Sequence, residues 1–162
     1  MTRTQQVVGL AGWLLLCYAA AGVGAVASVH ADVFYKSLTL PSWAPPASVF
    51  GPVWTVLYGA MGVAAWLVWQ NGGWAKHQGV LTLFLAQLAV NTLWSWLFFH
   101  WQRGDWAFAD IVALWLLIIA TLIGFWRVRR SAGLLMLPYL AWVSFASVLN
   151  LAAWKLNPLV LG

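Results

Sequence analysis

Leu40–Tyr58 reads LPSWAPPASVFGPVWTVLY. Four of the chain's six prolines and two of its tryptophans fall within these nineteen residues. Proline fixes φ and offers no N–H, so Leu40–Pro46 is no regular helix. From Pro45 or Pro46 onward the constraint reverses, because proline is well placed at a helix start. The stretch is therefore a stiff loop that feeds a helix, with aromatic rings at the junction. The apolar run continues to Trp69. That is enough to cross a bilayer, which takes about 20 mostly apolar residues.

Composition extends this reading to the whole chain. Of 162 residues, 64% are hydrophobic and 7% charged. Soluble domains carry about 25% charged residues; so few charges cannot coat a soluble surface of this size. The fold class is an all-α integral membrane protein, a five-transmembrane-helix bundle whose principal partner is the lipid bilayer. The helices lie near 7–29, 47–69, 79–101, 106–126 and 133–154, with a capping loop at 30–46, all in a single domain. Continuous apolar runs of this length rule out the ten-residue alternation of a β-barrel. Pro138 falls within the first turn or so of the fifth helix, where it is tolerated without a kink. Fourteen tryptophans exceed what interfacial belts need, so some line an interior.

The formal charge of +5 is spread over loops with no basic stripe, so no nucleic-acid partner is expected. Arg3, Lys76, Arg127, Arg129 and Arg130 lie on the side of the N-terminus; Lys36, Arg103 and Lys155 lie opposite. The positive-inside rule then puts the N-terminus in the cytoplasm, and a bacterial cell membrane is expected. Cys17 is alone, which excludes a disulfide within the chain. The three histidines stand apart without a ligand set, so no metal site is expected.

The polar exceptions within the spans carry the rest. Gln87, Asn91, Trp94 and Phe98 follow offsets of four, three and four and share one helix face. Amides in hydrocarbon need partners; this face is either an interhelical hydrogen-bond seam or a pocket wall. Asp110 is the one acid well inside a span. It is a candidate ligand contact or, near its helix start, a loop anchor or cap. Trp54 and Tyr58 line one side of the second helix. Trp142, Ala146, Leu149 and Ala153 recur at helical spacing on the fifth. A large ring beside small residues leaves room for a groove. Ala20, Gly24 and Ser28, and Gly59, Ala60, Gly62 and Ala64, serve close helix packing or a dimer seam. A tryptophan-rich cavity with a few amides suits large, flat, apolar ligands.

These residues resemble the translocator protein family, also called tryptophan-rich sensory proteins or peripheral benzodiazepine receptors (TspO/MBR). The resemblance rests on Pro41–Pro46 and Phe50–Trp54 through Leu57-Tyr58. Further along it rests on Gln87–Asn91, Trp94 and Phe98-Phe99, then on Trp106 with Asp110. Leu137–Trp142, Phe145-Ala146 and Leu149-Asn150 complete it. It implies a five-helix bundle, usually a homodimer, with a pocket capped by the first loop that binds porphyrins, sterols and drug-like ligands. By position, the pocket contacts are Phe50, Trp54, Asn91, Trp94, Trp106, Trp142, Ala146 and Leu149, with Trp43 in the cap. Tyr58, Asp110 and Asn150 complete the candidate site. Trp54 and Trp142 match positions linked, in some bacterial members, to light-dependent porphyrin breakdown, and are the only catalytic candidates. No obligatory cofactor is implied; a porphyrin or haem-type ligand is. Animal members carry a tyrosine just after the fifth-helix asparagine in a proposed cholesterol motif. Here Asn150-Leu151-Ala152-Ala153-Trp154-Lys155 has none, which weakens the sterol expectation. Receptor or transporter, porphyrin-degrading enzyme, and ligand-responsive scaffold are the functions left in play. Trp43 and the prolines are expected to form a lid over a wall of Trp54 and Tyr58, the alternative being a rigid interfacial connector.

Overall fold

The computed structural model describes residues 1–162. Five helices are long and apolar enough to span a membrane. Helix α1 is Arg3–Ala27 and α3 is Phe50–Trp69, the latter led in by a 3₁₀ turn at Ala47–Val49. Helix α4 covers Gly73–Ser95 and runs on through a π-turn at Trp96–His100. Helices α5 and α6 are Gly104–Val128 and Arg130–Leu156. Two short helices complete the chain, α2 at Ala31–Ser37 and α7 at Pro158–Leu161. The protein is an integral, multi-pass, all-α membrane protein, as its composition requires.

The short connections make sequential spans antiparallel. Around the bundle the order is α1, α3, α6, α5, α4 and back to α1. The N-terminal side of the bundle is packed solid. Met61, Ala64, Ala65 and Val68 of α3 meet Leu81 and Phe84 of α4, Ile118 and Phe125 of α5, and Ala132 and Met136 of α6. Phe84 and Phe125 stack at 5.6 Å. Small residues set the spacing: a Cβ on Gly62 would sit 3.1 Å from the Leu14 backbone, and one on Gly9 would collide with the Trp69 ring. Gly62 of α3 and Gly9 of α1 thus seat α1 within the bundle.

Four sequence expectations need correction. The connection 30–46 is not a plain loop, because Ala31–Ser37 forms α2. The third span begins at Gly73 rather than near Gly79, with a break in helical dihedrals at His77. Pro138 is not in a first turn. Arg129 alone joins α5 to α6, so α6 starts at Arg130 and Pro138 lies in its third turn. That removes the N–H that would have met the Leu134 carbonyl. Asp110 neither caps a helix nor anchors a loop, as described below.

The tryptophans divide between interface and interior. Trp74 and Trp126 are exposed at the end carrying Lys76 and Arg127, while Trp43, Trp101 and Trp106 are exposed at the other. These are the two interfacial belts, where an amphipathic ring meets both media. Arg130 lies over the Trp126 ring at 6.0 Å, a cation–π contact at that boundary.

Candidate functional site

The opposite half of the bundle is hollow. A cavity of about 480 Å³ lies between the helices beneath α2. Small-molecule sites run from roughly 300 to 1,000 Å³. Its floor is a chain of buried polar groups near mid-span. The Tyr58 hydroxyl donates to Asn91 Oδ1 at 3.1 Å, and Asn91 Nδ2 donates to the Tyr139 hydroxyl. Tyr139 in turn donates to Gln87 Oε1 at 2.7 Å, and Gln87 Nε2 reaches Met61 Sδ at 3.8 Å. Three helices supply these groups because no water is present at that depth to satisfy an amide or phenol. The two readings of the Gln87–Phe98 face are therefore both realised. Gln87 is wholly buried in the seam, while Asn91, Trp94 and Phe98 face the cavity.

Aromatic rings form the walls. Trp54 packs on Tyr58 at 5.6 Å and edge-on to Tyr139 at 6.1 Å. Next to it runs a line of rings from Tyr35 to Phe50 (5.1 Å), Phe50 to Trp142 (6.0 Å) and Trp142 to Phe145 (5.5 Å). Trp94 stacks on Phe98 at 5.1 Å, and its indole N–H donates to Asn150 Oδ1 at 2.9 Å. Asn150 Nδ2 donates to the Gly104 carbonyl at 3.1 Å. Asn150 thus bolts α4 and α6 to the start of α5, and its amide is already engaged. Two other indole N–H groups also have protein acceptors, Trp66 on the Gln6 carbonyl and Trp115 on Ser144 Oγ. Trp54 and Trp142 line the cavity and make no such bond.

Of the twelve sequence candidates, the structure brings nine to this cavity: Phe50, Trp54, Tyr58, Asn91, Trp94, Trp142, Ala146, Leu149 and Asn150. Three lie elsewhere. Trp106 is 59% exposed on the outer surface of α5, a belt residue rather than a cavity wall. The turn of α5 that faces inward carries Ile111 and Leu114 instead. Asp110 is half-buried off the cavity, and its Oδ2 is shielded with no hydrogen-bond partner. Trp43 sits on the outside of the cap, edge-on to Phe145 at 5.8 Å, so it touches the wall from behind.

The cap itself differs from a proline lid. Ala31, Asp32 and Tyr35 of α2 and Ala47 of the 3₁₀ turn face the cavity; the prolines do not. Tyr35 is buried and its hydroxyl donates to the Pro45 carbonyl at 2.7 Å, which ties α2 to the proline run. Burial pushes the Tyr35 phenol above its usual range. Asn157 holds the other end. Its side chain accepts from the Thr39 N–H and donates to the Thr39 carbonyl, both at 2.8 Å.

Sequence reading missed the contribution of α1. Tyr18, Ala21, Gly24, Ala25 and Ser28 line the cavity. Gly24 and Ser28 carried a signal, their four-residue spacing, but small residues at that spacing read equally as helix packing. Phe145 stood in one of the strings that carry the resemblance but was not named as a contact, and Tyr35 carried no signal.

Comparison with known proteins agrees with this architecture. The TspO/MBR family model matches residues 13–155. The chain is 42% identical over 158 residues to the tryptophan-rich protein TspO of Chlorobaculum tepidum, covering 95% of this chain and 99% of that protein. It is 39% identical over 145 residues to the tryptophan-rich sensory protein of Cereibacter sphaeroides, covering 90% and 89%. It is 40% identical over 126 residues to the human translocator protein, covering 76% and 75%. With the family model spanning most of the chain and relatives at this identity over nearly its full length, the chain belongs to the TspO/MBR family.

Proposed function

We propose that this protein is a membrane receptor or transporter that binds a porphyrin-type tetrapyrrole, or a similarly flat apolar molecule, in the cavity. The observation that carries the reading is the cavity's two-sided chemistry. Aromatic walls at Phe50, Trp54 and Trp142 offer stacking surface, and the indole N–H groups of Trp54 and Trp142, which have no protein acceptor, are the donors this reading assigns to carboxylates at a macrocycle's edge. A predominantly apolar pocket with a few placed polar groups is the usual form of a small-molecule site. Sterols are a weaker fit, since the helix-six run Asn150–Lys155 lacks a tyrosine. The N-terminus lies in the cytoplasm of a bacterial cell in this reading, and the protein works as a homodimer.

The test is titration of protoporphyrin against intrinsic tryptophan fluorescence in nanodiscs. Trp142→Ala weakens binding at least tenfold while the helical signal is retained. Equal affinity in that variant refutes the site. A second reading is light-dependent porphyrin degradation, favoured by two oxidisable indoles lining one cavity. It requires product beyond one equivalent under light, lost in Trp54→Phe and Trp142→Phe. Product that stops at one equivalent leaves a receptor rather than an enzyme.

A further inference from the structure

The way α1 leans across the bundle decides how a molecule reaches the cavity. Below Tyr18, α1 lies against α3. A Cβ on Gly9 would strike Trp69, one on Gly62 would meet Leu14, and the Trp66 indole donates to the Gln6 carbonyl at 2.8 Å. The uppermost tie is the Tyr18 hydroxyl, which donates to the Thr55 carbonyl at 2.8 Å and lies 2.8 Å from where a Gly59 Cβ would be. Above Tyr18 the partner changes. Thr92 Oγ1 donates to the Ala20 carbonyl at 3.3 Å, and a Gly24 Cβ would touch Ser95 Oγ at 3.4 Å. Helix α1 therefore passes from α3 to α4 as it rises. The two helices diverge, and a wedge opens between α1 and α3 with the Tyr18–Thr55 bond at its base.

The wedge coincides with the cavity. Ala25 on α1 and Gly51 and Thr55 on α3 are exposed, and each also lines the cavity. Tyr18 to Ser28 is ten residues, about 15 Å of helix, or half the hydrocarbon thickness. The aqueous side is closed by contrast. Tyr35 is bonded to Pro45, Asn157 is bonded twice to Thr39, and Trp43 covers Phe145.

We propose that the cavity opens into the bilayer through the wedge between α1 and α3, so that it takes molecules dissolved in the hydrocarbon rather than in water. The ligand class is a flat or elongated apolar body with a small polar head, passing edge-first between the small side chains of Ala25 and Gly51. The proposal rests on the cavity being a ligand site, and its test is arranged to be read without any tetrapyrrole.

The background is Cys17→Ala, which removes the one native thiol. Ala146→Cys then puts a single reporter on the cavity wall. The protein in nanodiscs is treated with a pyrene maleimide, which dissolves in the bilayer, or a sulfonated maleimide, which stays in water. The bilayer-dissolved reagent is expected to label Cys at 146 at least tenfold faster than the sulfonated one. Adding Ala25→Phe with Thr55→Phe to fill the wedge slows the pyrene reagent at least tenfold and leaves the sulfonated reagent unchanged. Preferential labelling by the sulfonated reagent, indifference to the filled wedge, or no labelling by the pyrene reagent overturns the portal. In a separate arm, the filled wedge slows protoporphyrin association and dissociation together. Absence of protoporphyrin binding in the native protein counts against the tetrapyrrole reading alone, since the labelling arm still decides the route.

Discussion

Tyr139→Phe tests whether the cavity floor is held by its buried hydrogen bonds. The substitution deletes one oxygen and leaves the ring, so no cavity is created. Tyr139 is fully buried and its hydroxyl is the middle of the chain, accepting from Asn91 and donating to Gln87. Removing it strands the Asn91 N–H and the Gln87 Oε1, and Gln87 too has no exposure. In water-soluble cores a stranded buried group costs about 1–3 kcal/mol. Within membranes each interhelical bond averages about 0.6 kcal/mol and reaches about 1.7, because the unfolded helices find other partners in lipid. The membrane figure governs here, and two bonds give about 1–3 kcal/mol in all. The assay is unfolding in mixed micelles by denaturing detergent, followed by far-ultraviolet circular dichroism. A second variant sharpens it. Gln87→Leu removes the acceptor that Tyr139→Phe strands, so the double variant loses less than the two single losses added, by about 0.5 kcal/mol or more. A loss below about 0.3 kcal/mol in Tyr139→Phe, or strict additivity with Gln87→Leu, refutes the claim that these bonds hold the floor.

Three further outcomes follow from the same geometry. Asn157→Ala removes both bonds to Thr39, so amide exchange across residues 38–44 quickens by about tenfold, on the order of 1.4 kcal/mol of local stability, while exchange in α5 stays as it is. Trp106→Ala leaves protoporphyrin affinity within twofold and stability within about 0.5 kcal/mol, as expected of a belt residue away from special contacts; a tenfold affinity loss would return Trp106 to the site. The phenol of Tyr35 is raised by burial, so its contribution to cap closure is complete below about pH 10, its unfolded value, and fades as pH rises through the higher folded value. The ultraviolet phenolate titration of the native protein minus that of Tyr35→Phe checks this, and a difference curve centred at or below pH 10 contradicts it.

The fate of individual residues shows where sequence information stops. Gln87, Asn91 and Trp94 were readable as one face because 3.6-residue geometry is local and fixed by the backbone. Asp110, read from its place in the span, and Trp106, carried over by position from the resemblance, lie off the cavity for the reciprocal reason. Helical spacing places residues on a face but does not rotate that face toward a neighbour. Packing against α4 and α6 turned Ile111 and Leu114 inward and left Trp106 in the belt. Pro138 was placed two turns too early because helix starts at a one-residue connection carry no cap signal in the sequence.

Through its resemblance to the family the sequence pointed to nine of the residues that meet in the cavity; by itself it determined the membrane class and the five spans. Each of these rests on local quantities: transfer of apolar side chains into hydrocarbon, helical periodicity, and the absence of water for backbone groups at depth. Only the tertiary structure decided that half of the bundle is solid and half hollow. It alone decided that α2 rather than the prolines covers the cavity, and that α1 crosses from α3 to α4. Those outcomes depend on which helix lies beside which. In a bilayer that choice is made by contacts such as Gly62 on Leu14 and Gly24 on Ser95, where two distant segments must fit, and neither segment carries the answer alone.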